Sequence, residues 1–365
     1  MSAHSQMPRS AWIFPALAMT MFAAVSASGY AFALSLGGLV FAIVLLIILF
    51  GTVFAAVHHA EVIAELVGEP FGTLVLTLSV TIIEVALITT IMLGDKPAPE
   101  LARDTVFAVV MIVCNGLVGL CIFIGGLRYR EQGFQLSGAN VYLSVLFALA
   151  AITLIMPNYT TTTPGPVYSA LQLGFVGVVT LALYGVFLYT QTVLHKDYFV
   201  HDRGEGENGE LRLSGGTLAL TVGLLLVSLL AVVLLAKKFS LVVDAVSLQI
   251  GAPPAFAGVL VALLILMPEG VSAIAAARKN DLQKSINLAL GSSLATIGLT
   301  IPAVGVATYV LDKELKLGLN PQSSVLLLLT FLLSMLTFGT GRTNVLFGLV
   351  HMVVFAVYVF MVFVP

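Results

Sequence analysis

Apolar runs of roughly span length, separated by short polar turns, recur from residue 11 to residue 364. A helix needs about 20 apolar residues to cross the hydrocarbon of a bilayer. The pattern therefore predicts eleven spans, at 11–29, 31–57, 71–93, 104–127, 138–157, 167–192, 214–236, 255–277, 285–311, 323–341 and 343–364. Some connections are only a few residues long, as at Ser28–Tyr30 and Thr340–Thr343. The one long polar segment, His195 to Gly216, lies at the centre of the chain, and its GEGENGE core is Gly-rich and acidic. That core lacks the ligand spacing of an EF-hand and reads as a solubilising loop.

The polar interruptions are not random. Before the third span the chain reads EVIAELVGEPFGTLVLTL, and before the eighth DAVSLQIGAPPAFAGVLVAL. Each has an amphipathic lead-in, a Gly-x-Pro (Gly68–Pro70, Gly251–Pro253) and then an apolar run with a glutamate inside it, Glu84 or Glu269. A charged turn and a span rich in small and polar residues follow in both cases. Spans three and eight are an odd number of spans apart, so they cross the membrane in opposite senses. The predicted fold is an all-α integral membrane protein of about 11 transmembrane helices in a 1 + 5 + 5 plan with inverted-topology repeats. The corresponding segments are an extra helix at 1–30, a first repeat at 31–194, the acidic loop at 195–213 and a second repeat at 214–365.

Composition agrees with the span pattern. Hydrophobic residues make up 59% of the 365 and charged residues 9%, against about 25% charged in soluble domains. A net charge of −2 argues against a nucleic-acid partner; the lipid bilayer is the surrounding partner. Cys114 and Cys121 are seven residues apart on one apolar span, too far apart to bridge, and read as packing residues. The first run offers no convincing cleavage site and is expected to be a retained span. Assigning loops alternately to two sides puts Arg9, Arg128, Arg130, Lys196, Arg203, Arg212, Arg278, Lys279, Lys284 and Arg342 on the side of the amino terminus. Lys96, Arg103, Lys237, Lys238, Lys313 and Lys316 fall on the other. The bias favours a cytoplasmic amino terminus in a cell (inner) membrane.

A charged group at the bilayer centre costs roughly 2.5–3.5 kcal/mol on insertion scales, so Glu84 and Glu269 call for a common explanation: two walls of one cation site. Thr73, Thr77 and Thr81 share a helical face with Glu84 and would line a path to it, unless they merely bond their own helix backbone. Pro268 removes a backbone N–H and frees a carbonyl near Leu264 or Ile265; the result is either a break lining the site or a packing kink. A hard cation such as calcium takes six to eight oxygens, and Thr81, Asn115 and Ser292 are candidates for those the glutamates do not supply. Ser292 and Thr296 could be ligands, or Gly291 and Gly298 could instead make that stretch a packing surface against span eight. His58, Glu61, Glu65 and Glu69 form either a vestibule or a solvated helix end. His351 is isolated in span eleven and is expected to pack.

With these residues the sequence resembles the cation/proton branch of the calcium/cation antiporter superfamily, and especially bacterial calcium/proton antiporters of the ChaA type. The resemblance rests on TLSVTIIEVALI with VCNGLVGL downstream, and on LMPEGVSAIAAARKND with LALGSSLATIGLTIP downstream. It covers spans two to eleven and the acidic loop. It implies that Glu84 and Glu269 bind the cation and exchange it for protons, with Asn115, Ser292 and Ser293 as the adjoining polar residues. The chain departs from the family's Gly-Asn-Ala before each glutamate, holding Val-Thr-Ile-Ile and Leu-Met-Pro there, which leaves calcium, sodium and potassium open as substrates. The expected activity is secondary antiport without any cofactor. No HExxH, GxSxG or paired-aspartate motif suggests an enzyme, and no TVGYG-like filter suggests a channel.

Overall fold

The computed structural model describes residues 8–30, 32–68, 71–94, 98–199 and 215–364, with the side chains of the seventh span from Leu218 onward. The core of the acidic loop, Glu205 to Glu210, and Glu69 lie outside the described residues. Eleven helices among them are long and apolar enough to cross a membrane: Ser10–Ser28, Leu36–Val67, Phe71–Met92, Leu101–Tyr129, Leu136–Tyr159, Ala170–Leu194, Leu218–Ile250, Ala255–Arg278, Leu282–Val310, Pro321–Phe338 and Val345–Phe363. They are called spans one to eleven below. The only strands among the described residues are β1 (Glu131–Gly133) and β2 (Arg342–Asn344), antiparallel with Gln132 opposite Thr343.

Two boundaries differ most from the sequence expectation. Span two does not stop at residue 57, nor span seven at 236; the amphipathic lead-ins are unbroken continuations to Val67 and Ile250. Polar side chains on an exposed face do not end a helix, and both helices run on to a glycine. Gly68 has φ 71° and Gly251 φ 65°, left-handed conformations open to glycine at little steric cost. At about 1.5 Å per residue, the 32 and 36 residues of these helices exceed the roughly 30 Å of hydrocarbon.

The helices pack as two compact units. Residues 1–96 and 207–251 make up the first, with spans one, two, three and seven. Span two contacts the other three. The appended span one is fixed to it by polar contacts inside the apolar surface: His59 Nε2 lies 2.9 Å from the Ala11 carbonyl oxygen, and the Thr52 hydroxyl is 2.7 Å from the Ile48 carbonyl and 3.3 Å from that of Phe14. His59 and Thr52 are fully buried.

Residues 97–206 and 252–365 make up the second unit, with the other seven spans. Spans four and eight approach closely at Gly258, where a Cβ would come within 2.8 Å of the Asp104 carbonyl carbon and the Thr105 nitrogen. At one end of this unit Gln132 donates to Asn280 Oδ1 (3.0 Å), Tyr129 to the Arg278 carbonyl (2.9 Å), and the Gln135 N–H to Gln283 Oε1 (2.6 Å). For Gly291 and Gly298, where the sequence left packing against span eight as one of two readings, the nearest side chains belong to other spans. The two glycines face Tyr142 of span five and Tyr184 of span six, because span nine presents its small-residue face to those aromatic rings. Cys114 and Cys121 are buried and free. Among the described residues four spans contain a wider π-helical turn: 112–117 in span four, 151–155 in span five, 190–194 in span six and 296–300 in span nine.

The approach at Gly258 is testable. Gly258→Ala drives a methyl into span four's backbone, and overpacking of this kind costs about 1–3 kcal/mol. Gly174→Ala, where nothing lies within 4 Å of the new Cβ, is expected to be neutral or slightly stabilising. Thermal melting of the two purified variants in the same detergent checks the contrast.

Candidate cation site

Glu84 lies in the first unit, near the middle of span three, and is 1% exposed. Its helix neighbours Ile83, Leu87 and Ile88 are equally buried. Thr81, one turn before it, is buried, and Thr77 is half-buried. The Thr77 hydroxyl donates to the Thr73 carbonyl, and Ser79 and Thr89 donate in the same way to Val75 and Val85. These hydroxyl protons are spent on the helix's own backbone, and each oxygen keeps a lone pair as an acceptor. At the end of span two His58 is half-buried and Glu61 and Glu65 are exposed, the pattern of a polar helix face.

The other candidates lie in the second unit. Glu269 is half-buried on span eight, directly after the buried Pro268. Pro268 does not break the helix; Ala255–Arg278 is helical throughout. Its missing N–H still leaves a carbonyl one turn earlier without its usual donor. Span nine packs on span eight and carries the half-buried Ser292, the fully buried Ser293 and Thr296, which opens that span's π turn. The Ser293 oxygen has no hydrogen-bond partner among the described residues. The π turn of span four contacts spans eight and nine, so Glu269, Ser292, Ser293 and the Asn115 segment belong to adjacent elements.

Asn115 sits inside that π turn and is fully buried. Its side chain engages spans ten and eleven: Nδ2 donates to Thr330 Oγ1 (2.8 Å), and Oδ1 lies 3.0 Å from His351 Nδ1. The second imidazole nitrogen lies 2.9 Å from Thr337 Oγ1. His351 is therefore not the isolated packing residue that the sequence suggested. It is fully buried and polar on both ring nitrogens, with partners supplied by residues far away in the chain. Glycines make this possible: at Gly119 of span four a Cβ would lie 2.8 Å from the His351 Cβ and 3.1 Å from the Gly348 carbonyl oxygen, so spans four and eleven meet at backbone distance.

A further polar group begins span four. Arg103 pairs with Glu100 (2.9 Å) and Asp104 (2.8 Å) and reaches the Gly318 carbonyl (3.3 Å). Together with Pro253, Pro254 and Tyr358 these side chains line a cavity of about 200 Å³. The signal for it in the sequence is the charged turn GDKPAPELARD.

Comparisons with known proteins identify the family and the fold. The family described as sodium/calcium exchanger protein matches residues 37–193 and 220–364. A relative from Sinorhizobium fredii, y4hA, is 44% identical over 84% of this chain and 83% of its own. The sodium-potassium/proton antiporter ChaA of Escherichia coli is 38% identical over 83% of both chains. A Ca(2+)/H(+) antiporter of Synechocystis is 24% identical over 66% of this chain and 69% of its own. Among solved structures, YfkE superposes with a TM-score of 0.73 at 18% identity, covering 97% of this chain and all of that one. The H+/Ca2+ exchanger CAX superposes with a TM-score of 0.70 at 15% identity, over 97% and 89%. This multi-pass membrane protein, an ion antiporter and not an enzyme, belongs to the sodium/calcium exchanger protein family.

Proposed function

We propose that the protein exchanges calcium for protons, with Glu84 and Glu269 holding either the ion or protons in turn. The observation that carries this reading is the carboxylate of Glu84, 1% exposed in the middle of an apolar span; the sequence pattern pairs it with Glu269, which follows the second Gly-x-Pro. A carboxylate in such surroundings needs a proton or a cation to offset its charge. Protons and cation compete for the same oxygens, and that competition enforces exchange. Thr77, Thr81, Ser292, Ser293, Thr296, Asn115 and the carbonyl released by Pro268 supply neutral oxygens around the path. His58, Glu61, Glu65 and Glu69 gather cations at its mouth. The lysine and arginine bias supports a cytoplasmic amino terminus in the inner membrane.

The second reading is sodium or potassium against protons on the same residues. The name of the Escherichia coli relative, a sodium-potassium/proton antiporter, favours it, whereas the more distant relative from Synechocystis is named for calcium. Cation-triggered proton release in everted vesicles, compared across calcium, sodium and potassium, separates the two.

Four outcomes are expected. Glu84→Gln and Glu269→Gln each abolish exchange while the protein remains inserted, because glutamine keeps the shape but neither carries the proton nor offers charge; near wild-type exchange would remove that residue from the site. Deleting residues 205–210 has a much milder effect, read in the same vesicle assay. Apparent cation affinity rises with pH and levels off above the range in which the carboxylate pair titrates. The cation binds the deprotonated form, so protons weaken it by the coupling with which it displaces them. If one divalent ion replaces two protons, a potassium-diffusion potential imposed on proteoliposomes at zero pH gradient drives no calcium entry. A strong response to voltage would overturn the two-glutamate account.

A further inference from the structure

The buried polar chain through Asn115 has a direction that can be worked out from one end. The Thr330 hydroxyl lies 2.8 Å from the Leu326 carbonyl oxygen, which can only accept, so Thr330 donates there. Its oxygen therefore accepts from the Asn115 amide at 2.8 Å. That fixes the carboxamide, with nitrogen toward span ten and Oδ1 toward His351 Nδ1 at 3.0 Å. An amide oxygen only accepts, so Nδ1 carries a proton. In the neutral imidazole Nε2 is then the acceptor, and Thr337 donates to it at 2.9 Å. Four side chains from three spans are ordered in one sense, Thr337 to His351 to Asn115 to Thr330. His351 and Asn115 are both 0% exposed.

We propose that His351 is a positioning residue for transport: its Nδ1–H holds the Asn115 carboxamide in one orientation and thereby sets the affinity of the cation path. The inference rests on the reading above that Asn115 belongs to that path. A carbonyl oxygen has two lone pairs. His351 engages one and polarises the oxygen, and the other is left in a fixed direction for an ion or its hydration shell. Without the imidazole donor, the amide sits in a π turn with one side anchored on Thr330 and the other loose. The Thr337 hydroxyl, through Nε2, fixes the imidazole tautomer and so acts at one further remove.

The test compares His351→Asn, His351→Gln and His351→Leu in proteoliposomes. An asparagine amide can occupy the place of Nδ1 and keep a donor toward Asn115. A glutamine amide reaches the place of Nε2 and leaves the Nδ1 position empty. The expected result is a cation KM raised roughly tenfold in His351→Gln and His351→Leu, the scale of a buried hydrogen bond lost on one side, with kcat little changed. His351→Asn is expected to restore KM and to leave the pH profile of exchange as in the parent. Asn115→Ala is expected to raise KM by itself, and adding His351→Leu to it should change nothing further.

Loss of kcat in His351→Asn, or a displaced pH profile, would mean that the imidazole carries protons itself, and would overturn the positioning role. Impaired exchange in Asn115→Ala alongside a parental KM in His351→Leu would overturn it too, leaving Asn115 in the path. Unchanged exchange in Asn115→Ala would overturn the placement of Asn115 and this inference with it. KM does not depend on the amount of inserted protein, so the Asn and Gln variants decide the matter even if the leucine variant folds poorly.

Discussion

In hydrocarbon a polar group must find its partner within the protein, and the chain is arranged around that constraint. Backbone groups meet it by being helical across eleven spans. Hydroxyls meet it by donating back to their own helix, as Thr77, Ser79, Thr153 and Thr308 do. Histidines meet it by reaching another span, His59 to the carbonyl of Ala11 and His351 to Asn115 and Thr337. Where a group has a charge that the apolar surround cannot solvate, a mobile proton or ion is the natural counterpart. Glu84 and Glu269 are the carboxylates to which the proposed exchange assigns that counterpart.

This constraint also explains what the sequence made legible. A carboxylate in an uncharged run is conspicuous without any knowledge of neighbours, and so Glu84 and Glu269 could be singled out from one chain. The eleven spans were legible for the same reason, since length and apolarity are local properties. Helix ends were less so: His58, Glu61 and Lys237 look like the edge of a membrane, yet a helix ends where its backbone turns, and the glycines at 68 and 251 mark that place. His351 shows the limit most clearly. Its partners Asn115 and Thr337 lie 236 and 14 positions away, and no spacing rule joins a histidine of span eleven to an asparagine of span four.

Packing and chemistry are coupled at the same places. Gly119 lets span eleven come near enough for an imidazole to reach span four, so a residue without a side chain determines where a polar one can act. The Gly258 contact does the like for span eight, three helical turns before Glu269. Small residues at membrane-helix interfaces are commonly read as a means of association; here they also set the distances at which buried donors and acceptors meet.

The π turns at 112–117 and 296–300 have a consequence for movement. Each holds one residue more than an α-helical turn would, a dislocation in the helical register worth about 100° of rotation. Shifting such a dislocation by one position swings a single side chain around the axis and leaves the residues on either side facing as before. Turning a whole span would carry its lipid-facing surface with it. A residue in such a turn can thus change its facing without its whole span turning, a small motion in a medium that penalises large ones.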